Sequence, residues 1–586
     1  MVTVTLAEYL GRRLVQCGVG HLFGVPGDFN LTLLDHLIPV DGLAWVGSPN
    51  ELGAGYAADA YARSRGLAAI VTTYGVGELS ALNAIAGSAA EDVPVVHIAG
   101  SPSTTAVAAR RPVHHTLADG VFGRFANAYA EVTVHQEIVT AGRAAEQIDA
   151  VLLAAMTHRK PAYLSIPQDL ATLPVDAAPL ATPLTPVPRR PLEFEAALRE
   201  RLRTATRPVI VAGHLVARFG LGAEVLAAAT KAGIPIVTSL AAKGVIDESE
   251  PLHHGVYAGT MIDEAAARLV READLVIELG TVASDVLSGF FTHRGPDEQV
   301  VHVGATTATI GLGEPRPVAF ADAIRTLAAF DFVFETAARG EPTARRAAPD
   351  ERTPGHAAPN KPTPAHAAPD KQTPGHAVVD ERTTGHVAVD DDAALSQEAL
   401  WAAVQDWLPG GIALLADTGT SFWGAAGLRL PPDTVFVGQP IWNSIGYALP
   451  AVLGQGLADP GRRPVLIAGD GAAQMTVQEL STIAAAALKP VVLLLNNDGY
   501  TIERALQSPD AGYNDVAAWD WAGLVTALTG DKVDYHRAET AADLRHALTA
   551  IGDAFTFIEV VLDKYDAPPL LRRLAERSGG GAPGTS

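Results

Sequence analysis

Short apolar runs alternate with helix-like stretches over most of the chain. GHLFGVPGD is an apolar run ending in a turn, and LAWVGSPNE leads into ELGAGYAADAYARS, an Ala-rich helical pattern. LAAIVTTYGVGELSALNAIAGSAA repeats the strand–turn–helix theme. VPVVHIAGSP and PAYLSIPQD are continuous apolar runs of the kind that form buried strands. Strands alternating with helices predict a parallel sheet with helices on both faces. The first such unit is expected over residues 1–185, followed by an extended Pro-rich connection, PLATPLTPVPRRP. A second unit, expected over 186–339, contains RPVIVAGHL, GIPIVTSL, ADLVIELG and QVVHVGA. A third, expected over 395–586, contains GIALLADTG, DTVFVGQP, RPVLIAGDG, KPVVLLLNN and FTFIEVV. The predicted fold class is α/β, with three doubly wound parallel-sheet domains.

Residues 340–394 break the pattern. From Ala347 to His386 run four tandem decapeptides, AAPDERTPGH, AAPNKPTPAH, AAPDKQTPGH and AVVDERTTGH. Pro, Gly, Thr and charge dominate, and no apolar face exists to offset chain entropy, so a disordered linker is predicted. His356, His366, His376 and His386 recur every ten residues. That spacing is compatible with metal binding, but expansion of a linker repeat is the preferred reading. The tail GGGAPGTS is expected to fray.

Bulk properties narrow the function classes. Of 586 residues, 48% are hydrophobic and 18% charged, enough for large cores. The net charge of -22 argues against binding nucleic acid or an anionic membrane surface, but not against a small anion in a local site. The single cysteine, Cys17, allows no intramolecular disulfide. No apolar run long enough for a membrane span occurs, and Glu8, Arg12 and Arg13 interrupt any signal-like start. A soluble cytoplasmic protein is expected.

The chemistry concentrates in the third unit. VLIAGDGAAQMTVQEL predicts a strand, a Gly469-Asp470-Gly471 turn and a helix. VVLLLNNDGYTIE predicts a second strand ending at Asn496-Asn497. With one helix between two parallel strands, Asp470 and Asn497, 27 positions apart, fall on the same sheet edge, where α/β proteins bind ligands. A carboxylate and an amide oxygen there suit Mg²⁺, which usually also takes phosphate oxygens. Gly471 lets backbone N–H groups approach a diphosphate. A dinucleotide fingerprint does not fit, because no G-x-G-x-x-G follows a strand with an acidic residue about 20 positions later.

The Gly-Asp-Gly … Asn-Asn pattern resembles that of thiamine diphosphate enzymes. FGVPGDFN, NELGAGYAADAYAR, TYGVGELSALN, VHHTLADG, GQPIWNSIGYALPA, GDGAAQMTVQEL and NNDGYTIERAL together resemble the pyruvate, indolepyruvate and branched-chain 2-oxo acid decarboxylases. The likeness covers nearly the whole chain outside the decapeptides. It implies thiamine diphosphate and Mg²⁺ as cofactors, and release of an aldehyde and CO₂ from a 2-oxo acid through the C2 carbanion of the cofactor. Asp470, Asn497 and the carbonyl of Gly499 would hold Mg²⁺. Glu51 would hydrogen-bond the aminopyrimidine, Asn443 would offer it a carbonyl, and Ile445 would prop the cofactor in a bent shape. Thr420, Ser421, Gly469, Gly471 and Ala472 would lie along the diphosphate. Asp28, His114, His115 and Glu503 would form the substrate-side polar group, with Asp28, His115 and Glu503 handling protons and Glu51 also catalytic.

Substrate choice is read from the same likeness. Phe422, Trp423, Ile502 and Leu506 would line the pocket, and the paired aromatics resemble those of the branched-chain enzymes. Branched-chain and aromatic 2-oxo acids are therefore expected, such as indolepyruvate, phenylpyruvate or 3-methyl-2-oxobutanoate. Pyruvate decarboxylation, an acyloin-forming carboligase and, more remotely, a non-catalytic scaffold stay open as alternatives. The resemblance also implies a homodimer or homotetramer with shared active sites. Asn443 departs from the pattern, since many relatives carry Gly there.

Overall fold

The computed structural model describes residues 2–186, 191–292, 295–334, 393–530 and 532–578. Except for its last two residues, the decapeptide-bearing segment expected at 340–394 lies outside the described residues. The first unit carries β1 (Thr3–Thr5), β2 (His21–Gly24), β3 (Ala44–Gly47), β4 (Ala68–Thr73), β5 (Val95–Ser101), β6 (Gln136–Ile138), β7 (Ala162–Pro167) and β8 (Pro174–Asp176). Six of these form one sheet in the order β3-β2-β4-β5-β7-β6, every pair parallel. β1 and β8 pair separately and antiparallel.

The central unit carries β9 (Pro208–Ala212), β10 (Ile236–Ser239), β11 (His253–Tyr257), β12 (Leu275–Leu279), β13 (Val300–Val303), β14 (Thr307–Ile310) and β15 (Arg316–Pro317), in the order β11-β10-β9-β12-β13-β14-β15. This sheet is parallel except at one edge, where β13, β14 and β15 run antiparallel. The connection Gly304–Thr306 is too short for a crossover, which needs a dozen or more residues, so the chain turns back as a hairpin.

The third unit carries β16 (Ile412–Ala416), β17 (Val435–Val437), β18 (Arg463–Gly469), β19 (Val491–Asn496), β20 (Val533–Ala538) and β21 (Phe555–Val561). All pairs are parallel, in the order β17-β16-β18-β19-β21-β20. The sheets thus realise the α/β architecture read from the apolar runs. No helix among the described residues is long and apolar enough to cross a membrane.

One helix pair ties the first unit to the third: α1 (Glu51–Arg65) packs along α2 (Ala448–Ala458). Ten consecutive residues of α1, Gly53 to Ala62, are buried, which explains a helix that is small and apolar all round rather than on one face. The approach is close, because a Cβ on Gly454 would stand 1.9 Å from the Ala57 carbonyl oxygen. Asp59, fully buried, locks the pair. It accepts hydrogen bonds from Tyr447 (2.7 Å), Ser88 (2.8 Å) and Arg63 (2.6 Å), and Arg63 also donates to the Gly438 carbonyl.

Candidate active site

In the third unit, four loops leave the carboxyl ends of β16, β17, β18 and β19, and all reach one cavity of about 540 Å³. Thr420, Ser421, Phe422, Trp423, Asn443, Ile445, Gly469, Gly471, Ala472, Asn497, Gly499, Ile502, Glu503 and Leu506 line it. Asp470 sits just behind, buried.

The register Gly469↔Leu495 sets the two key side chains next to one another. Asp470 Oδ1 accepts from the Gly471 N–H (2.7 Å) and Oδ2 from the Gly499 N–H (3.1 Å). Burial pushes its carboxyl up to about 6, with those N–H groups pulling the other way. The Asn497 amide oxygen lies 3.1 Å from Asp470 Oδ1 and 3.0 Å from the Gly499 carbonyl oxygen. Three oxygens therefore face one another with no proton between them. Turning the amide over would give two hydrogen bonds, but Thr501 argues against it. Its hydroxyl proton goes to the Lys564 carbonyl (2.8 Å), so it accepts from the Asn497 NH₂ (2.9 Å). The arrangement fits a divalent cation, for which hard oxygens are the natural donors. Gly499 needs its missing side chain: φ is +128°, and a Cβ would meet the Asn514 carbonyl oxygen at 2.1 Å.

The rest of the cavity also suits a phosphate-bearing organic group. Ser421 Oγ is buried and has no hydrogen-bond partner among the described residues, and a Cβ on Gly471 would strike the Tyr500 ring at 2.6 Å. Asp417 accepts from the N–H groups of Thr418, Gly446 and Ala448, which pins the turn carrying Ile445. Its burial raises the Asp417 carboxyl to about 7. Asn443 adopts φ +55°, the left-handed region that Asn tolerates better than most residues, so it can stand where Gly is usual. Phe422 and Trp423 are almost fully buried and meet edge-on at 5.8 Å. Glu503 is exposed at the rim.

The first unit builds a second cluster by the same logic. Loops after β2, β3, β4 and β5 carry Asp28, Glu51, the TYGVGE turn and the His114-His115 segment, again at one carboxyl edge. Asp28 Oδ2 lies 2.5 Å from His114 Nε2, and Oδ1 lies 3.8 Å from His115 Nδ1. Phe29 stacks on His114 at 4.9 Å. The loop is held from behind: Asn30 accepts from the Gly27 N–H (2.9 Å) and donates to the Val25 carbonyl (3.1 Å). His115 has φ +57°, and its carbonyl oxygen packs so close to Gly75 that a Cβ there would sit 2.1 Å away. Glu51 opens α1 behind the Asn50 cap, and among the described residues it has no hydrogen-bond or ion-pair partner. None of Asp28, Glu51, His114 and His115 lines the third-unit cavity.

Several cavity residues carried no usable sequence signal. Val286 from the central unit and Leu574 from the last helix reach in only through the tertiary fold. Thr418 and Gly419 end the GIALLADTG run, and Tyr500 and Thr501 lie within NNDGYTIERAL, with nothing in the sequence to single them out as site residues.

Comparison with known proteins bears on the family. The thiamine pyrophosphate enzyme family matches in three consecutive parts: the N-terminal TPP binding domain at residues 4–122, the central domain at 196–330 and the C-terminal TPP binding domain at 417–560. The chain is 39% identical over 587 aligned residues to an alpha-keto-acid decarboxylase of Mycobacterium ulcerans, covering 97% of this chain and 95% of that one. It is 38% identical over 581 residues to an alpha-keto-acid decarboxylase of Mycobacterium leprae, with the same coverage. Among solved structures, a thiamine diphosphate-dependent 4-hydroxybenzoylformate decarboxylase of Rhodococcus jostii shares the fold, with TM-score 0.70 and 21% identity over 95% of this chain and 99% of that one. With similarity running through all three units at this level, the chain belongs to the thiamine-diphosphate-dependent 2-oxo acid decarboxylase family.

Proposed function

We propose that this protein removes CO₂ from a 2-oxo acid with a branched-chain or aromatic side chain and releases the aldehyde, using thiamine diphosphate and Mg²⁺. The observation that carries the reading is the inward-facing oxygen trio at the edge of a 540 Å³ cavity with a bulky apolar wall. Asp470, Asn497 and the Gly499 carbonyl would hold Mg²⁺. The hydroxyls of Thr420 and Ser421 and the backbone N–H groups around Gly469, Gly471 and Ala472 would take the diphosphate. When bound, thiamine diphosphate supplies the nucleophilic carbon and the electron sink for loss of CO₂. Ile445 would support the bound cofactor, and Asn443 would offer it a backbone carbonyl. Phe422, Trp423, Ile502 and Leu506 exclude water and receive the side chain of the substrate.

Proton handling falls to carboxylates and imidazoles. Glu51 would hydrogen-bond the pyrimidine ring of the bound cofactor and share its proton. Glu503, at the cavity rim, and the Asp28–His114–His115 cluster move the proton that ends on the aldehyde carbon. Since that cluster lies outside the cavity of its own chain, a second chain would bring it there, in a homodimer or homotetramer. Large apolar side chains left exposed beside both halves support this: Val76, Leu79 and Leu117 in the first unit, Trp442 and Met475 in the third.

The test is aldehyde formation from 3-methyl-2-oxobutanoate, indolepyruvate, phenylpyruvate and pyruvate, with and without thiamine diphosphate and Mg²⁺. Cofactor-dependent aldehyde, faster from the bulky acids than from pyruvate, is the expected result. Equal or better turnover of pyruvate refutes the substrate assignment, and no aldehyde from any acid refutes the reaction.

A further inference from the structure

A second cavity, about 670 Å³, lies between the first and central units and shares no lining residue with the first. One side comes from the end of α1 and the helix Ala144–His158, the other from Phe219 and the segment Pro317–Arg325. Leu153, Met156, Val318 and Phe320 give it mainly apolar walls. Its volume is in the range of sites for small organic ligands.

The charges lining it run against the rest of the molecule. In a chain of net charge -22, the cavity carries Arg65, Arg159 and Arg325 against one carboxylate, Asp322, which is paired with Arg325. Arg159 is the telling residue. It sits at φ +52° at the end of the helix Ala144–His158, its guanidinium 4.5 Å above the Phe219 ring, and Phe219 stacks in turn on Phe320 at 5.0 Å. One nitrogen donates to the Gly66 carbonyl (2.7 Å), and Nε is buried with no acceptor among the described residues. No acidic group pairs with it among the described residues, and burial alone lowers its pKa. A cation withdrawn from water without a counter-ion is unfavourable unless an anion joins it. The cation–π contact and a single carbonyl offset only part of that.

We propose that this cavity binds an amphipathic monocarboxylate, its apolar tail between Leu153, Met156 and Phe320 and its carboxylate on Arg159, with Arg65 at the mouth. One half-buried guanidinium with no acidic partner among the described residues suits one negative charge, and the apolar walls suit a hydrocarbon or aromatic tail. The site is separate from the decarboxylation cavity and does not depend on the reaction. The acid could be the 2-oxo acid substrate or an acid that the enzyme does not convert, since both present the same chemistry.

The experiment measures binding, so it is independent of turnover. Cofactor-loaded protein is titrated calorimetrically with 4-phenylbutanoate, which has no 2-oxo group, and with 4-phenylbutan-1-ol, which has the same tail without the charge. Saturable binding of the acid is expected, with the alcohol about tenfold weaker or worse, the scale of a lost charge-assisted hydrogen bond. Arg159→Met should weaken the acid to a similar degree, while Ile502→Trp, which obstructs the decarboxylation cavity, should leave it unchanged. A phenylpyruvate titration of Ile502→Trp separates the two sources: saturation there means that the substrate itself uses the site, and none means that the natural ligand is an unconverted acid. Absence of saturable 4-phenylbutanoate binding, equal affinity for acid and alcohol, or loss of acid binding in Ile502→Trp overturns the proposal. The alcohol comparison needs no variant and decides the matter even if Arg159→Met fails to fold.

Discussion

Glu78 offers a quantitative test of how the first unit holds its half of the site. It lies in the first turn of the helix Val76–Ala90 and is completely buried. One carboxylate oxygen accepts from the Tyr163 hydroxyl, the other from the Gly75 N–H at 2.5 Å. Gly75 is the residue against which the His115 carbonyl packs, so Glu78 fixes the turn that supports that loop. Tyr129, Tyr163 and His97 surround it, and burial pushes His97 down to about 3, so the imidazole brings no positive charge. Desolvation without a cation raises the Glu78 carboxyl from an ordinary 4.5 to about 7. The unfolded chain therefore releases this proton near 4.5 and the folded chain near 7. Stability should fall as pH rises through that window and level off above it, by about 3 kcal/mol at 1.36 kcal/mol per pH unit. Glu78→Gln removes the titration and leaves one donor, Gly75 N–H or Tyr163 O–H, without its acceptor, which costs about 1–3 kcal/mol at every pH. The variant should be less stable than the parent at pH 4.5 and draw level with it, or pass it, by pH 8. Urea unfolding at pH 4.5, 6, 7 and 8, followed by tyrosine and tryptophan fluorescence, measures the difference. A difference that stays constant with pH would show that Glu78 ionises at its ordinary value and that this account of the buried cluster is wrong.

Three further outcomes follow from the contacts described. Thr501→Val removes the hydroxyl that orients the Asn497 amide. The apparent Mg²⁺ affinity in an activity titration should fall about 10- to 100-fold, with kcat recovered at saturating Mg²⁺. Gly454→Ala places a methyl against the Ala57 carbonyl and should lower the thermal midpoint by several degrees in differential scanning fluorimetry, since helix backbones in contact cannot simply move apart. Phe422→Ala enlarges the apolar wall and should reduce kcat/KM for 3-methyl-2-oxobutanoate by about 10-fold or more, with a smaller loss for indolepyruvate, whose larger ring refills the space.

Much of the fold was legible because buried parallel strands must be continuous apolar runs, and each run named from the sequence falls in a strand. The loops were legible for a related reason. FGVPGDFN, SPNE, TYGVGE, ADTGTSFW, GDGAA and NNDGYTIE all follow strand ends, and parallel topology gathers such segments on one edge. What sequence could not supply are relations between distant positions. Thr501 lies in a recognised motif, but its role in orienting the Asn497 amide depends on the Lys564 carbonyl, 63 residues away. Asp59 carries no mark within ELGAGYAADAYARS, and its role appears only where Tyr447, Ser88 and Arg63 converge on it. The antiparallel edge of the central sheet comes from a three-residue connection that turns β13 back into β14 and β15, strands too short to stand out by pattern. The arginines of the second cavity come from segments with no shared motif at all.

The packing of α1 on α2 bears directly on how the site is completed. Glu51 stands at the first turn of α1, and α1 is fastened to the third unit through Asp59, Arg63, Tyr447 and the Gly454 contact. Swinging the first unit until Asp28, Glu51, His114 and His115 faced the cavity of the same chain would break that buried network, a loss of several kcal/mol before any apolar surface is counted. Supplying the cluster from a second chain leaves the network intact and covers Val76, Leu79, Trp442 and Met475 as well. The two arrangements part company in a mixing experiment. Glu51→Gln and Asp470→Ala proteins, each inactive alone, should regain activity when unfolded together and reassembled, because a mixed dimer holds one site with neither substitution. If each chain completed its own site, every site in the mixture would carry one of the two lesions and no activity would return.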